Sequence, residues 1–226
     1  MKRIIIAIDG PAASGKSTAA KILAQKLGYV YLDTGAMYRA CALAAQRLGI
    51  DLQDNDALDA LLSSIDIRIS FAPGGNILYL NNEDVSSEIR EPHISQLASA
   101  ISALRPVRDK MVDLQRQMGK DGGVILDGRD IGTVVFPNAE LKFFLVAPAE
   151  VRARRRFLEL QGKGHKPSYE EVLLDMQKRD AADSSRALAP LVAAEDAIHI
   201  DSGNYGIEEL AELLHQHYLQ TVGELC

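Results

Sequence analysis

Gly10-Pro11-Ala12-Ala13-Ser14-Gly15-Lys16-Ser17, continued by Thr18, has glycine first and Gly-Lys-Ser last, the spacing of a phosphate-binding loop. In such a loop backbone N–H groups cradle a polyphosphate, while the lysine reaches its outer phosphates and the hydroxyl reaches Mg²⁺. Lys16 and Ser17 take those two parts here, so the chain is expected to bind a nucleoside triphosphate. A second group of reactive types is Asp127-Gly128-Arg129-Asp130, directly after the apolar run Val124-Ile125-Leu126. A strand that ends in Asp sets a carboxylate at the C-terminal edge of a parallel sheet, where ligands bind in such folds. Asp127 is expected there to act on a Mg²⁺-bound water, with Arg129 and Asp130 turned to a polar partner. Thr34 and Arg39 form a third pair: Thr34 as a helix N-cap and Arg39 about one turn on suit a second phosphate, although a plain cap and a solvated arginine fit the local pattern equally.

These residues need elements to hold them. Arg3 to Ile8 is a β-branched run that reads as a buried parallel strand before the loop, and Ala20, Leu23, Ala24 and Leu27 give the apolar stripe of a helix that Gly28 stops. Tyr29–Leu32 predicts a second strand, and Met37, Ala40, Cys41, Ala44 and Leu48 the helix after it. A short helix at Asp56–Ser63 precedes Ile65, Ile67, Ile69 and Phe71, which alternate with polar residues as a half-buried strand does. Pro73 to Asn76 reads as a turn, Ile77–Leu80 as the returning strand and Asn81-Asn82 as another turn. This antiparallel patch is expected to be an insertion in an α/β pattern. Helices follow at Pro92–Leu104 and Pro106–Met118, the latter leaving Arg108 beside its N-terminus. Val124–Leu126, Leu141–Val146 and Ala197–Ile200 are the remaining strands of the main sheet, and Ile207, Leu210, Ala211 and Leu214 line the closing helix.

Between the last two strands lies a helical hairpin. Ala149–Leu160 carries Arg152, Arg154, Arg155 and Arg156, the loop from Gly162 to Pro167 is basic, and Tyr169, Val172, Leu173 and Met176 define the return. A charge run is usually a solvated helix face. Beside a hinged loop in a triphosphate-binding protein, four arginines fit better as a lid over phosphates. The expected organisation is a single domain, with a core at about 1–64, 92–150 and 180–226, an insertion at about 65–91 and a lid at about 151–179.

Composition bounds the rest. The 226 residues, 47% hydrophobic and 25% charged, suit one globular core, and the net charge of −6 argues against general nucleic-acid affinity. Arginine nevertheless outnumbers lysine 15 to 10, as suits a cleft for a small polyanion. No apolar run reaches membrane-spanning length, and no signal-peptide pattern precedes the first strand, so a cytoplasmic protein with reduced thiols is expected. Neither Cys41 nor Cys226 has metal-site spacing, and none of the five histidines has ligand spacing.

Taken together, the phosphate loop, Leu32-Asp33-Thr34-Gly35-Ala36-Met37-Tyr38-Arg39, Asp84-Val85-Ser86 with Glu88-Ile89-Arg90, Asp127 through Thr133, Arg179-Asp180 with Asp183 and Arg186, and Ala189-Pro190-Leu191 resemble the bacterial cytidylate kinases over essentially the whole chain. The resemblance implies a nucleoside-monophosphate kinase fold, in which helices flank a five-stranded parallel sheet. It implies transfer of phosphate from ATP to CMP or dCMP with Mg²⁺, by a monomer. It places Ser99, Arg108 and Asp130 on the cytosine ring, Thr34, Arg39, Arg129 and Arg186 on the monophosphate, and Arg179 with Asp183 on the pentose. Lys16, Arg129 and a lid arginine such as Arg155 would carry the developing charge. Ala13 stands where many relatives have glycine. Two other classes stay open on the residues alone. A P-loop kinase for another small acceptor is one, although an alcohol acceptor calls for a base and not for these arginines. A GTP-binding switch is the other, but the chain has no Asn-Lys-x-Asp segment.

Overall fold

Short β-branched and aromatic runs form the strands, and small-residue or amphipathic stretches form the helices that cover them. The computed structural model describes residues 3–72 and 75–224. In chain order the elements are β1 (Ile5–Asp9), α1 (Lys16–Leu27), β2 (Val30–Asp33), α2 (Thr34–Arg47), α3 (Asn55–Ser64), β3 (Ile67–Ala72), β4 (Gly75–Leu80), β5 (Glu83–Asp84), α4 (Pro92–Ile101), α5 (Arg105–Gly119), β6 (Val124–Gly128), β7 (Leu141–Val146), α6 (Ala149–Gly162), α7 (Tyr169–Ser185), β8 (Ile198–Asp201) and α8 (Ile207–Glu224). The main sheet has five strands in the order β2-β6-β1-β7-β8, and β3, β4 and β5 form a separate three-stranded sheet. β1 runs parallel to β6 and β7, and β7 parallel to β8. Parallel neighbours need long crossovers, and α6 and α7 supply the one from β7 to β8. This is the expected α/β class with a small antiparallel insertion.

The chain divides into two compact units. Met1–Tyr29 with Asp121–Cys226 form one, in which Ile4, Ile6, Ile8, Leu23, Phe143 and Leu214 are essentially fully buried. The second is Val30–Lys120, whose core joins Met37, Cys41 and Leu43 to Leu58, Ile94, Ile101 and Met111. Burial pushes the Cys41 thiol up to about 12, so it behaves as a small apolar residue.

Several boundaries shift from the sequence expectation. β1 extends to Asp9, which brings a carboxylate into the sheet. Asp33 rather than Thr34 caps α2, because its carboxylate accepts the Ala36 N–H at 2.8 Å and Thr34 is already helical. Gly75 and Asn76 lie in β4, paired with Ala72 and Phe71, while Pro73 and Gly74 of the expected turn fall outside the described residues, as does Cys226. Asn81 and Asn82 do form a turn, with φ of 49° and 71°. Ile207 is 37% exposed, since it is the first residue of α8 and precedes the buried stripe.

The second unit contains an oddity in α5. Gln115 is 1% exposed, and neither its Nε2 nor its Oε1 has a hydrogen-bond partner among the described residues. A buried amide without partners costs about 1–3 kcal/mol, whereas an apolar side chain of the same shape does not. Gln115→Met is therefore expected to raise the urea midpoint, and an unchanged or lowered midpoint would refute that expectation.

Candidate active site

The site begins where β1 ends. A Cβ on Gly10 would lie 2.0 Å from the carbonyl oxygen of Leu145, so the chain turns out of the sheet against the backbone of β7. Gly15 has φ of 87° and caps α1 in the left-handed region, where a glycine carries no Cβ penalty. Ala13 has φ of 56°, a conformation that costs an L-residue about 1–2 kcal/mol. The loop is thus formed with alanine in place, at the cost of local strain. Lys16 is 4% exposed and turns its ammonium into the loop, with Nζ donating to Pro11 O at 2.7 Å and Ser14 Oγ at 3.3 Å. Burial first, then the charges of Arg129 and Arg179, lower its pKa from 10.5 to about 7, against the pull of Asp127 and Asp9. The phosphates of a triphosphate are further anions that would restore the charge of an ammonium held in this way.

The Ser17 hydroxyl donates to Asp127 Oδ2 at 2.7 Å, which brings a helix-start hydroxyl and a strand-end carboxylate together. Two hard oxygen donors suit Mg²⁺, which keeps several waters and takes substrate phosphates as further ligands. Among the described residues no cluster of three or more His, Cys, Asp or Glu could hold a metal. The oxygen pair fits an ion that arrives with the nucleotide.

Beyond Asp127, the same unit gathers guanidinium groups. Arg129 Nε donates to Asp183 Oδ2 at 2.8 Å, and its Nη1 to Gly128 O at 3.2 Å. Arg186 Nη2 lies 3.2 Å from Asp183 Oδ1. Arg179, four residues before Asp183 on α7, is close enough to influence both Asp183 and Lys16 electrostatically. Burial pushes the Asp183 carboxyl up, but Arg129, Arg186 and Arg179 outweigh it and hold the group below the usual carboxylate range. The Leu191 N–H donates to the Asp183 carbonyl at 2.8 Å, which folds Ala189-Pro190-Leu191 back onto the helix end.

Asp9 is 4% exposed, and its two carboxylate oxygens accept the N–H groups of Ile131 at 2.9 Å and Gly132 at 2.7 Å. Burial raises its pKa from 3.8 to about 6, opposed by those two N–H groups and reinforced by the Asp130 charge. A raised folded-state pKa means that the native chain holds the proton more tightly than the unfolded chain. Its stabilising contribution is present below pH 3.8 and is lost as pH rises through about 6. At about 1.4 kcal/mol per pH unit, the loss is on the order of 3 kcal/mol. Wild type is expected to lose stability relative to Asp9→Asn between pH 4 and 7 in urea titrations, and a pH-independent difference would contradict this.

The second unit arranges its own candidates. Thr34 is 3% exposed in the first turn of α2, and Arg39 Nη2 pairs with Asp33 Oδ2 at 2.9 Å. Ser99 lies on α4, where its carbonyl accepts the Ser102 hydroxyl at 2.8 Å, and Arg108 Nη1 donates to Ser102 O at 3.3 Å. Ser99 and Arg108 are thereby tied through Ser102, with the Arg108 guanidinium 5.8 Å from the Tyr38 ring centroid.

The arginines of α6 do not form one cationic face. Arg152 is a buried pin that donates to Ala147 O at 2.9 Å, to Ala12 O of the loop at 3.2 Å and to Asp180 at 2.7 Å. Arg156 pairs with Glu159 on its own helix at 2.8 Å. Arg155 Nη2 donates to Ser202 O at 2.9 Å, and the buried Ser202 hydroxyl reaches Ser14 O at 2.7 Å. Asp9, Arg152 and Ser202 escape sequence inspection because each has a partner more than a hundred residues away. Asp33 had a local signal, as a carboxylate three residues before the N–H that it caps.

A family model described as Cytidylate kinase matches residues 6–220. A cytidylate kinase of Caldicellulosiruptor bescii is 49% identical over 98% of this chain and 98% of its own length. One from Bacillus pumilus is 50% identical over 93% of both, and one from Geobacter sulfurreducens is 52% identical over 92% of this chain and 90% of its own. A crystal structure of a Thermus thermophilus protein superposes with a TM-score of 0.50 at 20% identity, over 97% of this chain and 98% of that one, a likeness of fold alone.

Proposed function

The chain belongs to the cytidylate kinase family, and from that premise we propose how its residues transfer the γ-phosphoryl group of ATP to CMP or dCMP, giving ADP and CDP or dCDP. The attacking group is a phosphate oxyanion, so no general base is needed. The task is to hold two anions in line against their repulsion. The N–H groups of Gly10 through Thr18 and the Lys16 ammonium hold the donor phosphates. Ser17, and Asp127 through water, would hold Mg²⁺, which would supply neutralisation of charge on the donor phosphates. Thr34, Arg39, Arg129 and Arg186 bind the acceptor phosphate, Arg179 and Asp183 its pentose, and Ser99, Arg108 and Asp130 its base.

The supporting observation is the gathering of Arg129 and Arg186 on one buried carboxylate, close enough for Arg129 to depress the Lys16 pKa. Guanidinium groups already fixed in place by Asp183 need no reorganisation at the moment of transfer. Arg155 joins them when its bond to Ser202 is exchanged for a phosphate. The hairpin at about 151–179 then acts as a lid that excludes water, the competing acceptor, and the 65–91 insertion lies on the acceptor side of the reaction scheme. We take the protein to be a cytoplasmic monomer acting on small nucleotides, without nucleic acid or membrane.

The test is ADP release with Mg-ATP across CMP, dCMP, UMP, AMP, GMP and a small alcohol acceptor. CMP and dCMP are expected to give the highest kcat/KM. Turnover confined to another acceptor would overturn the substrate assignment.

A further inference from the structure

We propose that Asp9 positions Asp130 for selection of the acceptor base, an inference that rests on Asp130 being a base contact. Asp9 is the last residue of β1, the central strand of the main sheet, which pairs with a neighbour on each side. Its carboxylate reaches across to two consecutive amides, Ile131 N at 2.9 Å and Gly132 N at 2.7 Å, directly after Asp130. Each oxygen takes one N–H. Two adjacent amides that converge on one side chain call for two acceptors and no hydrogen, which a carboxylate offers and an amide does not.

The far side of Asp130 is fixed as well. Its carbonyl accepts Val134 N at 2.9 Å and Val135 N at 3.2 Å, so the following residues close into one wide turn. The peptide that joins Asp130 to Ile131 is therefore held at both its carbonyl and its N–H, which fixes the backbone, at φ −144° and ψ 24°, from which the Asp130 side chain departs. Gly132 closes the arrangement: a Cβ there would stand 3.1 Å from Lys142 Cδ and 3.4 Å from Asp9 Oδ2. The turn lies in contact with Asp9, and the closer approach is to the Lys142 side chain. Asp9 itself makes no contact with base in this account. It acts through the peptide that carries Asp130, from the same strand that launches the phosphate loop.

A purely structural Asp9 would weaken donor and acceptor handling alike, while a positioning Asp9 separates them. In Asp9→Asn the side-chain NH₂ opposes one of the two amides. The KM for CMP is expected to rise and the CMP:UMP ratio of kcat/KM to fall, each by about tenfold, the scale of a misplaced contact. The KM for ATP stays within about twofold, since the loop keeps its own hydrogen bonds. In the cycle with Asp130→Ala, the double variant is expected to be no less selective than Asp130→Ala alone. Gly132→Ala, which leaves Asp9 in place and shifts the turn, carries the same test where Asp9→Asn does not fold. An unchanged CMP:UMP ratio, or an ATP KM that rises in step with that for CMP, overturns the role of Asp9 alone. An unchanged ratio in Asp130→Ala shows instead that Asp130 is no base contact, and the inference falls with that assignment.

Discussion

Lys16→Ala is expected to leave the chain folded and to lower kcat by about a thousandfold, the scale of losing one preorganised charge donor. Lys16 donates to Pro11 O and Ser14 Oγ, and both acceptors belong to the loop itself. The ammonium is buried and lies near Arg129 and Arg179, which is why its pKa falls to about 7. Sign matters here. A lysine whose folded pKa lies below 10.5 makes the native chain shed a proton that the unfolded chain keeps, so the residue weakens the fold most at and below pH 7. Its removal therefore relieves the fold while it takes the cation from the donor phosphates. A thermal melt at pH 7 should show a midpoint equal to or above that of wild type, alongside the loss of turnover in a coupled ADP assay. A folded variant with near-normal kcat would remove Lys16 from the centre of the mechanism.

The contrast between Lys16 and Arg152 explains what the chain discloses before it is folded. A phosphate loop is a local object: its glycines, lysine and hydroxyl lie within nine residues, and strand and helix flank it in sequence. Asp127 is legible for the same reason, since an apolar run ending in Asp already implies the edge of a parallel sheet. The role of Arg152 is set by Ala12, Ala147 and Asp180, three partners from three segments, whereas charge pattern alone grouped it with the arginines of a lid over phosphates. Asp9 shows the limit most clearly. It sits one residue before the loop, yet the amides that it holds are over 120 positions away. Thr34 and Asp33 show a finer failure, because either residue could cap α2, and only the hydrogen bond to Ala36 decides between them.

Asp183→Ala should have the largest effect on stability, about 3–5 kcal/mol, as is usual when one member of a buried ion-paired group is removed. Its side chain is 7% exposed, and its carboxylate takes Arg129 on one oxygen and Arg186 on the other. With the carboxylate gone, two guanidinium groups face each other in a space from which water is largely excluded. Asp183→Asn keeps the shape and one acceptor oxygen, so it is expected to fall between alanine and wild type. The cause can be separated from lost packing by pH. Because Arg129 and its neighbours hold this carboxyl below 3.8, its stabilisation is present above that pH and is lost as pH falls further. The gap between wild type and Asp183→Ala in urea titrations should therefore narrow on acidification below the ordinary carboxylate range. A gap that stays constant with pH would mean that Asp183 fills space and does not balance charge, and the case for a built anion site around it would fail.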